Sequence, residues 1–352
     1  MDGRDIGVSP RRCRRFLEGC ALHREDMLMR RRPLLTTIFA LSAPATLAVS
    51  RTGLANTWPA RPVRLVVPFP PGGSPDLLAR RLADRMAATV PHPVIVENRP
   101  GAGGTIGADI VAKSAPDGHV LGLSNLAPHA VGPAVYPTIP YDPLRDFTHI
   151  ALLGEFPLVL AISADRPWRD LDAFLAAART RPATLNVGTP GNGTAAQVSL
   201  HMLRTLTGAE TVHVPFRGGT AAALETVAGR IDATVAGFGE LSGNDRLRFL
   251  AMASTQRLPT RPEVPTFREQ GVDLVATVWF GLCAPAGLAA DLVDRLHAAS
   301  EAAMSAPDAV ALTARLGGVP RRSLTRTEMA NFVRSEAERW GAAARAAGVR
   351  AE

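Results

Sequence analysis

The sequence predicts an α/β protein of two lobes, each built on a mixed, mostly parallel sheet that is flanked by helices. A segment of the form strand, glycine-rich loop, helix occurs twice in the first half of the chain and twice in the second half. Alternating strands and helices form parallel sheets with helices on both faces. The 352 residues, 46% hydrophobic and 20% charged, are enough for two domains of ~150 residues each.

The pattern begins with residues 63–67, which read as a buried strand, and continues through the Pro- and Gly-rich residues 68–73. A helix follows near Ser74, and we expect Ser74 to cap it and Pro75 to occupy its first turn. The other elements of this half are a strand over 94–97, a loop over 101–104, a helix over 105–114 and a strand over 120–123.

The second half repeats the pattern in two units. Ligands in such sheets bind at the carboxyl ends of the strands, where the loops lie. The helix that follows each loop begins at this edge of the sheet, and its N-terminus offers unpaired N–H groups and a partial positive charge of about half an elementary unit. We therefore expect the four helix N-termini to bind a small anion. The units are strand 185–187, loop 188–194 and a helix through Leu206, then strand 212–216, loop 217–220 and a further helix.

Enzyme signatures are incomplete or missing. Residues 101–103 open a dinucleotide fingerprint, but Ile106 stands in place of its third glycine, and Ser124-Asn125 stands where an acid would hold the ribose. The chain has no Gly-x-Ser-x-Gly or His-Glu-x-x-His motif, and its histidines are dispersed without metal-ligand spacing. We therefore predict no catalytic residue, no metal and no cofactor.

Residues 1–55 read as an upstream segment followed by a signal peptide. Three arginines at 30–32 precede an apolar run over 34–49, which is too short to span a membrane, and small residues follow up to Ala55. We expect cleavage near Ala55 and a periplasmic mature protein. The arginine pair fits a twin-arginine signal loosely, so the general secretory and twin-arginine routes both stay open.

The formal charge of +7 does not indicate a nucleic-acid partner. Residues 1–55 carry 10 of the 39 basic and 5 of the 32 acidic residues, which leaves 29 basic and 27 acidic residues in the rest of the chain. A nearly neutral body has no basic surface for nucleic acid. It keeps a single cysteine, Cys283, so it cannot form an internal disulfide.

Motifs along the whole mature chain resemble the Bug-type (TctC-like) extracytoplasmic receptors of tripartite tricarboxylate transporters. The resemblance covers about residues 58–350. It implies a two-lobed periplasmic-binding fold of type II and the uptake of a carboxylated solute. The motifs are Trp-Pro-Ala-Arg-Pro at 58–62, Pro-Phe-Pro-Pro-Gly-Gly-Ser-Pro-Asp at 68–76, Glu-Asn-Arg-Pro-Gly-Ala-Gly-Gly at 97–104, Tyr-Asp-Pro at 141–143, Pro-Glu-Val-Pro-Thr at 262–266 and Trp-Phe-Gly-Leu at 279–282.

The resemblance also implies a ligand site. By this resemblance, we expect the loop over 69–76 to bind one carboxylate through backbone N–H groups, with Phe69 against the ligand, and residues 189–194 and 216–219 to face it. At Ala236-Gly237 the chain has small residues where the family leads us to expect a larger polar side chain. The expected ligand contacts are Phe69, Pro71, Gly72, Gly73, Ser74, Asp76, Gly103, Thr105, Ser124, Asn125, Thr189, Asn192, Gly193, Thr194, Phe216, Gly218 and Phe238.

We predict that residues 58–158 and 279–352 form lobe 1 and that residues 159–278 form lobe 2, with hinges at Pro157 and near Trp279. Closure around the ligand would present both lobe surfaces to a membrane partner. We expect a monomeric periplasmic receptor that delivers a small carboxylate to transporter subunits. Two alternatives stay open: an α/β enzyme that uses the same cleft, and a ligand sensor for a signalling partner.

The export signal makes the first testable prediction. Mass spectrometry of the protein from a periplasmic extract should find an N-terminus near Asn56, because signal peptidase cuts after small residues. A protein that stays in the cytoplasm and keeps residues 30–55 would contradict the prediction.

Overall fold

The computed structural model describes residues 58–319 and 321–350, so the predicted export segment lies outside the described residues. The chain alternates strands and helices through most of its length. The strands are β1 Val63–Val67, β2 Val94–Asn98, β3 Val120–Asn125, β4 Phe147–Ser163, β5 Asn186–Thr189, β6 Val212–Pro215, β7 Ala233–Gly237, β8 Leu247–Met252 and β9 Thr277–Pro285. The helices are α1 Ser74–Ala87, α2 Thr105–Ala112, α3 Gly132–Val135, α4 Leu171–Thr180, α5 Ala195–Thr207, α6 Gly219–Val227, α7 Phe238–Leu241, α8 Ala290–Ser305, α9 Pro307–Arg315 and α10 Arg326–Ala346.

All four predicted strand–loop–helix units are present: β1–α1, β2–α2, β5–α5 and β6–α6. Several element ends differ from the prediction by one or two residues. Helix α1 is capped by Gly73 rather than by Ser74, because the N–H of Leu77 donates to the carbonyl of Gly73 and starts the helix one residue earlier. Helix α2 ends at Ala112, two residues before the predicted end.

The strands form two mixed sheets that share β4. In the first sheet the order is β2-β1-β3-β9-β4, with β1 parallel to β2 and β3, and with β9 antiparallel to β3 and β4. In the second sheet β4 lies antiparallel to β7 and β8, and β5 lies parallel to β7 and β6. Strand β4 pairs with β9 up to Pro157 and with β7 from Leu158 onward. The predicted two-lobed α/β fold is confirmed.

Each sheet has its own apolar core. Beneath the first sheet, Leu65 and Leu121 pack with the buried face of α1, whose Leu78, Leu82 and Met86 recur at helical spacing. The second sheet packs against α4 and α5. The C-terminal helix α10 belongs to the same cluster, which includes Leu160, Phe174, Val187, Val198, Met329, Val333 and Trp340. Within residues 58–350, no helix is both long and apolar enough to cross a membrane.

Candidate ligand-binding site

A cavity lies where β4 and β9 cross between the two sheets. The space that a water-sized sphere can enter in it is about 50 Å³, so its walls lie close together. Its walls come from the loop after β1, the end of β3, the loop after β5, the end of β7 and the two crossing strands. The lining residues are Phe69, Ser74, Pro75, Asn125, Leu126, Ala127, Phe156, Leu158, Pro190, Thr194, Ala195, Ala196, Gly237, Glu240, Val278 and Phe280.

The N-terminus of α1 opens into this cavity without a side-chain cap. The N-cap residue Gly73 accepts the first helical bond but offers no side chain, so the first N–H groups of the helix are not capped by one. The side chain of Ser74 lies on the cavity wall, only 5% of the residue is exposed, and its hydroxyl has no hydrogen-bond partner. A buried hydroxyl without a partner costs stability, so Ser74 has an unused hydrogen-bonding group beside this end of α1.

Asp76 holds the loop that precedes α1. Its carboxylate accepts hydrogen bonds from the Gly72 N–H at 2.9 Å, from Arg80 Nε at 3.0 Å and from Asn98 Nδ2 at 3.0 Å. The same Asn98 amide donates to the Phe69 carbonyl at 3.0 Å. Burial opposes ionisation of Asp76, but the hydrogen bonds from Arg80, Gly72 and Asn98 outweigh it, and the pKa of the carboxyl is lowered. The loop conformation is therefore tied to an ionised Asp76.

The N-terminus of α5 is capped by the protein itself. The Thr194 hydroxyl accepts from the Gln197 N–H at 3.4 Å and donates to the Gly191 carbonyl at 2.8 Å. The Gln197 side chain accepts from the Gly193 N–H at 2.8 Å. These bonds form a reciprocal cap, so α5 presents fewer free donors to the cavity than α1 does.

The N-terminus of α6 is occupied by a carboxylate of the protein, that of Glu240. Its Oε1 accepts from the Gly219 N–H at 3.0 Å, and Gly219 is the first residue of α6. A Cβ built on Gly73 would lie 3.7 Å from the same Oε1, so Glu240 also lies beside the cap of α1. Burial raises the pKa of Glu240, although hydrogen bonds from the N–H groups of Gly219 and Gly237 oppose the rise.

The rims of the cleft touch on one side. The Tyr136 hydroxyl donates to the Asn192 carbonyl at 3.0 Å. Gly103 lies against the same carbonyl at a φ of +61°, and a Cβ there would be 2.7 Å from the oxygen, so only glycine allows this approach. Gly103, Tyr136 and Asn192 line a second space beside the cavity described above. We call this second space the outer vestibule and the first one the inner cavity.

The predicted contact residues fall into three groups. Four of them line the inner cavity: Phe69, Ser74, Asn125 and Thr194. Phe69 also lines the outer vestibule, together with Gly103, Asn192, Phe216 and Gly218. The remaining predicted residues lie outside both sets of walls and support the loops or pack in the core: Pro71, Gly72, Gly73, Asp76, Thr105, Ser124, Thr189, Gly193 and Phe238.

Sequence reasoning missed Glu240 and the apolar walls from the crossing strands, among them Phe156 and Phe280. The expectation of a larger polar side chain at Ala236-Gly237 was the nearest signal. Glu240 supplies such a side chain three residues later, where the chain turns from β7 into the short helix α7.

The two histidines near the loops, His129 and His213, contact other residues of the protein. His129 is buried, its Nδ1 lies 3.1 Å from the Asn125 carbonyl, and its ring packs edge-on against Phe147. Burial, followed by the nearby His149, keeps the pKa of His129 well below its ordinary value. The Thr189 hydroxyl lies 2.6 Å from His213 Nε2. In the part of the chain that the structure describes, no group of three His, Cys, Asp or Glu residues is arranged to hold a metal ion.

The two-lobed fold with a cleft at its strand ends is the fold of periplasmic binding proteins, to which solved structures of this chain's relatives belong. A family model described as tripartite tricarboxylate transporter family receptor, TctC, matches residues 78–349. The chain therefore belongs to this family, and the resemblance inferred from its motifs is confirmed.

Individual relatives agree over nearly their whole length. The chain is 35% identical over 313 residues to protein BugT of Bordetella pertussis, which covers 87% of this chain and 95% of that protein. Among solved structures, it is similar to the R. palustris protein Rpa4515 with adipate, at 30% identity and a TM-score of 0.79 over 83% of this chain and 99% of that one. It is also similar to MatC from Rhodopseudomonas palustris with bound malate, at 33% identity and a TM-score of 0.76 over 81% and 99% of the two chains.

The raised pKa of Glu240 predicts a stability change. The folded protein binds the Glu240 proton more tightly than the unfolded chain does, so stability is lost as pH rises through the raised folded pKa. Glu240→Gln should therefore raise the Tm of the ligand-free protein at pH 7.5, by about 2–4 °C for each kcal/mol gained. The difference should shrink as the pH is lowered towards about 4, where the free carboxyl of glutamate becomes protonated.

Thermal melts of ligand-free protein across this pH range provide the measurement. Glu338→Gln is the matched control, because Glu338 is exposed on α10. A Tm difference between the variant and the parent that does not increase from pH 4 to pH 7.5 would contradict a raised pKa at Glu240.

Proposed function

We propose that this protein is a periplasmic receptor that captures a small carboxylate in the cavity and delivers it to a tripartite tricarboxylate-type membrane transporter. The observation that carries the proposal is the N-terminus of α1, which has no side-chain cap and whose first residue, Ser74, lines the cavity and has a buried hydroxyl without a partner. Such a terminus binds anions through backbone N–H groups and the helix dipole. The ligands named for two similar structures, adipate and malate, are both carboxylates.

The apolar walls define the rest of the ligand. Phe69, Phe156 and Phe280 line the same cavity as Ser74, so a ligand carboxylate at the α1 terminus leaves the body of the ligand to pack against aromatic and aliphatic side chains. Burial of this apolar body adds affinity, and the fixed N–H groups orient the ligand.

The delivery step requires two lobes that move relative to each other. We assign residues 58–158 and 279–352 to lobe 1 and residues 159–278 to lobe 2. The exchange of partners of β4 at Pro157, opposite Thr277 of β9, supports a hinge at these strands. Closure would bring both lobe surfaces into register for a membrane partner, and a monomer is sufficient for this task.

Export supports the same function. The arginine-led apolar segment before Ala55 is of the kind that directs a protein out of the cytoplasm, and a receptor must meet its solute there. We propose that the mature chain begins near Asn56.

A binding panel tests the proposal. Mature protein should be titrated with C4–C6 dicarboxylates, a tricarboxylate, amino acids and aromatic acids, and with the methyl ester of every acid that binds. At least one acid should raise the Tm, since a ligand at 100 times its Kd adds roughly 2.7 kcal/mol. Its ester should bind at least about tenfold more weakly, because the ester loses the charge-assisted hydrogen bonds. An ester that binds as tightly as its acid would contradict anion capture.

Gly73→Val locates the binding event. Gly73 has an extended backbone with φ at −82°, and a Cβ there would lie 3.5 Å from Pro75 Cδ, so valine fits the fold. Its methyl groups should block the end of α1, raising the Kd about tenfold or more while leaving the Tm unchanged. Gly243→Val is the control, because Gly243 is exposed and a Cβ added there would have no other atom within 4 Å. Unchanged affinity in Gly73→Val would place the carboxylate elsewhere.

A further inference from the structure

Ser74 and Glu240 both line the cavity, and neither has a side-chain partner in the described part of the chain. The Ser74 hydroxyl has no hydrogen-bond partner. The Glu240 carboxylate accepts from backbone N–H groups at Gly219 and Gly237, but nothing in the described part of the chain forms an ion pair with it. Glu240 is half-buried, and a carboxylate that is partly withdrawn from water is stabilised by a nearby cation. The cavity thus places the N-terminus of α1 beside a carboxylate that is bonded to backbone N–H groups but has no cation partner.

The position of Glu240 decides what kind of charge can bind next to it. A Cβ on Gly73 would lie 3.7 Å from Glu240 Oε1, so a carboxylate held at the start of α1 has Glu240 as its neighbour. That carboxylate and Glu240 already form a pair of like charges, and a second carboxylate on the ligand would add a third negative charge, which disfavours ionisation further. A ligand with an ammonium group in this place would instead supply the missing cation.

The distance also limits where the ammonium group lies on the ligand. Glu240 is bound to the first residue of α6 and lies beside the cap of α1. The anion and cation subsites are therefore adjacent. An ammonium group on the carbon next to the carboxylate reaches Glu240 while the carboxylate stays at α1.

We propose that Glu240 is a specificity-determining residue that selects α-amino acids over the corresponding acids without an amine. The inference rests on the proposed function, because the carboxylate must first bind at α1. Glu240 occupies the N-terminus of α6, leaving the N-terminus of α1 for the ligand, and it presents its charge to the amine. The side chain of the amino acid packs against the apolar walls formed by Phe69, Phe156 and Phe280.

Matched pairs of probes test this inference without knowledge of the natural ligand. The pairs are valine with 3-methylbutanoate, leucine with 4-methylpentanoate, phenylalanine with 3-phenylpropanoate, and aspartate with succinate. Calorimetric titration of the mature parent protein at pH 7.5 should show that the best-bound amino acid binds about tenfold or more tightly than its partner, the scale of one charge-assisted hydrogen bond.

Glu240→Gln keeps the shape of the side chain and one acceptor oxygen, which can serve the Gly219 N–H, while it replaces the other oxygen with an NH2 group and removes the charge. In this variant the preference for the amino acid should fall to within about threefold, mainly through weaker binding of the amino acid. Glu338→Gln, the same substitution at an exposed site on α10, should keep the parental preference. Thermal melts of each ligand-free protein establish that the variants are folded.

The outcomes separate the two proposals. If the acid without the amine binds the parent as tightly as the amino acid, or if a dicarboxylate binds more tightly than every amino acid, the selection of amines is wrong and carboxylate capture stands. If the preference survives in Glu240→Gln, the assignment to Glu240 is wrong. If folded parent protein binds neither member of any pair and no acid of the wider panel, both proposals fail.

Discussion

Strand β4 is the constraint on which the rest of the architecture depends, because it belongs to both sheets. Its first part pairs with β9, and its last part pairs with β7 and β8. A chain that must satisfy both ladders has to change partners at one place, and Pro157 marks that place. Proline has no backbone N–H group to donate. Pro157 can therefore stand between the two ladders without leaving a donor unpaired. The cavity lies beside this exchange, so its apolar floor is made of the same two crossing strands.

The helix termini that converge on the cavity have different electrostatic states. Helix α5 is capped by Thr194 and Gln197, and α6 is occupied by Glu240. At α1 no side chain caps the terminus, although the Asp76 carboxylate accepts from the Gly72 N–H before the helix and Glu240 lies beside the cap. A site of this kind binds one carboxylate at a defined point. Glu240 then determines which group of the ligand is tolerated next to it.

The sequence predicted the fold because the information is local. Alternating apolar strands, glycine turns and amphipathic helices specify β1–α1, β2–α2, β5–α5 and β6–α6 one unit at a time. The loops were predicted for the same reason, and four predicted residues, Phe69, Ser74, Asn125 and Thr194, do line the inner cavity. Whether these residues contact a ligand stays a prediction. The cap of α1 was misplaced by one residue, since Gly73 and Ser74 are both acceptable N-cap residues and only the bond from Leu77 distinguishes them.

The role of Glu240 could not be predicted from sequence, because its carboxylate bonds to Gly219, 21 residues earlier in the chain. Nor could Phe156 and Phe280, since apolar residues in a strand crossing have the same pattern as apolar residues in a core. The most direct test of carboxylate capture at α1 is a crystal structure of the mature protein with the tightest acid of the panel. We predict a ligand carboxylate oxygen within hydrogen-bond distance of the Ser74 hydroxyl and of a backbone N–H in the first turn of α1. A carboxylate bound at the outer vestibule or at α5 instead would contradict the account.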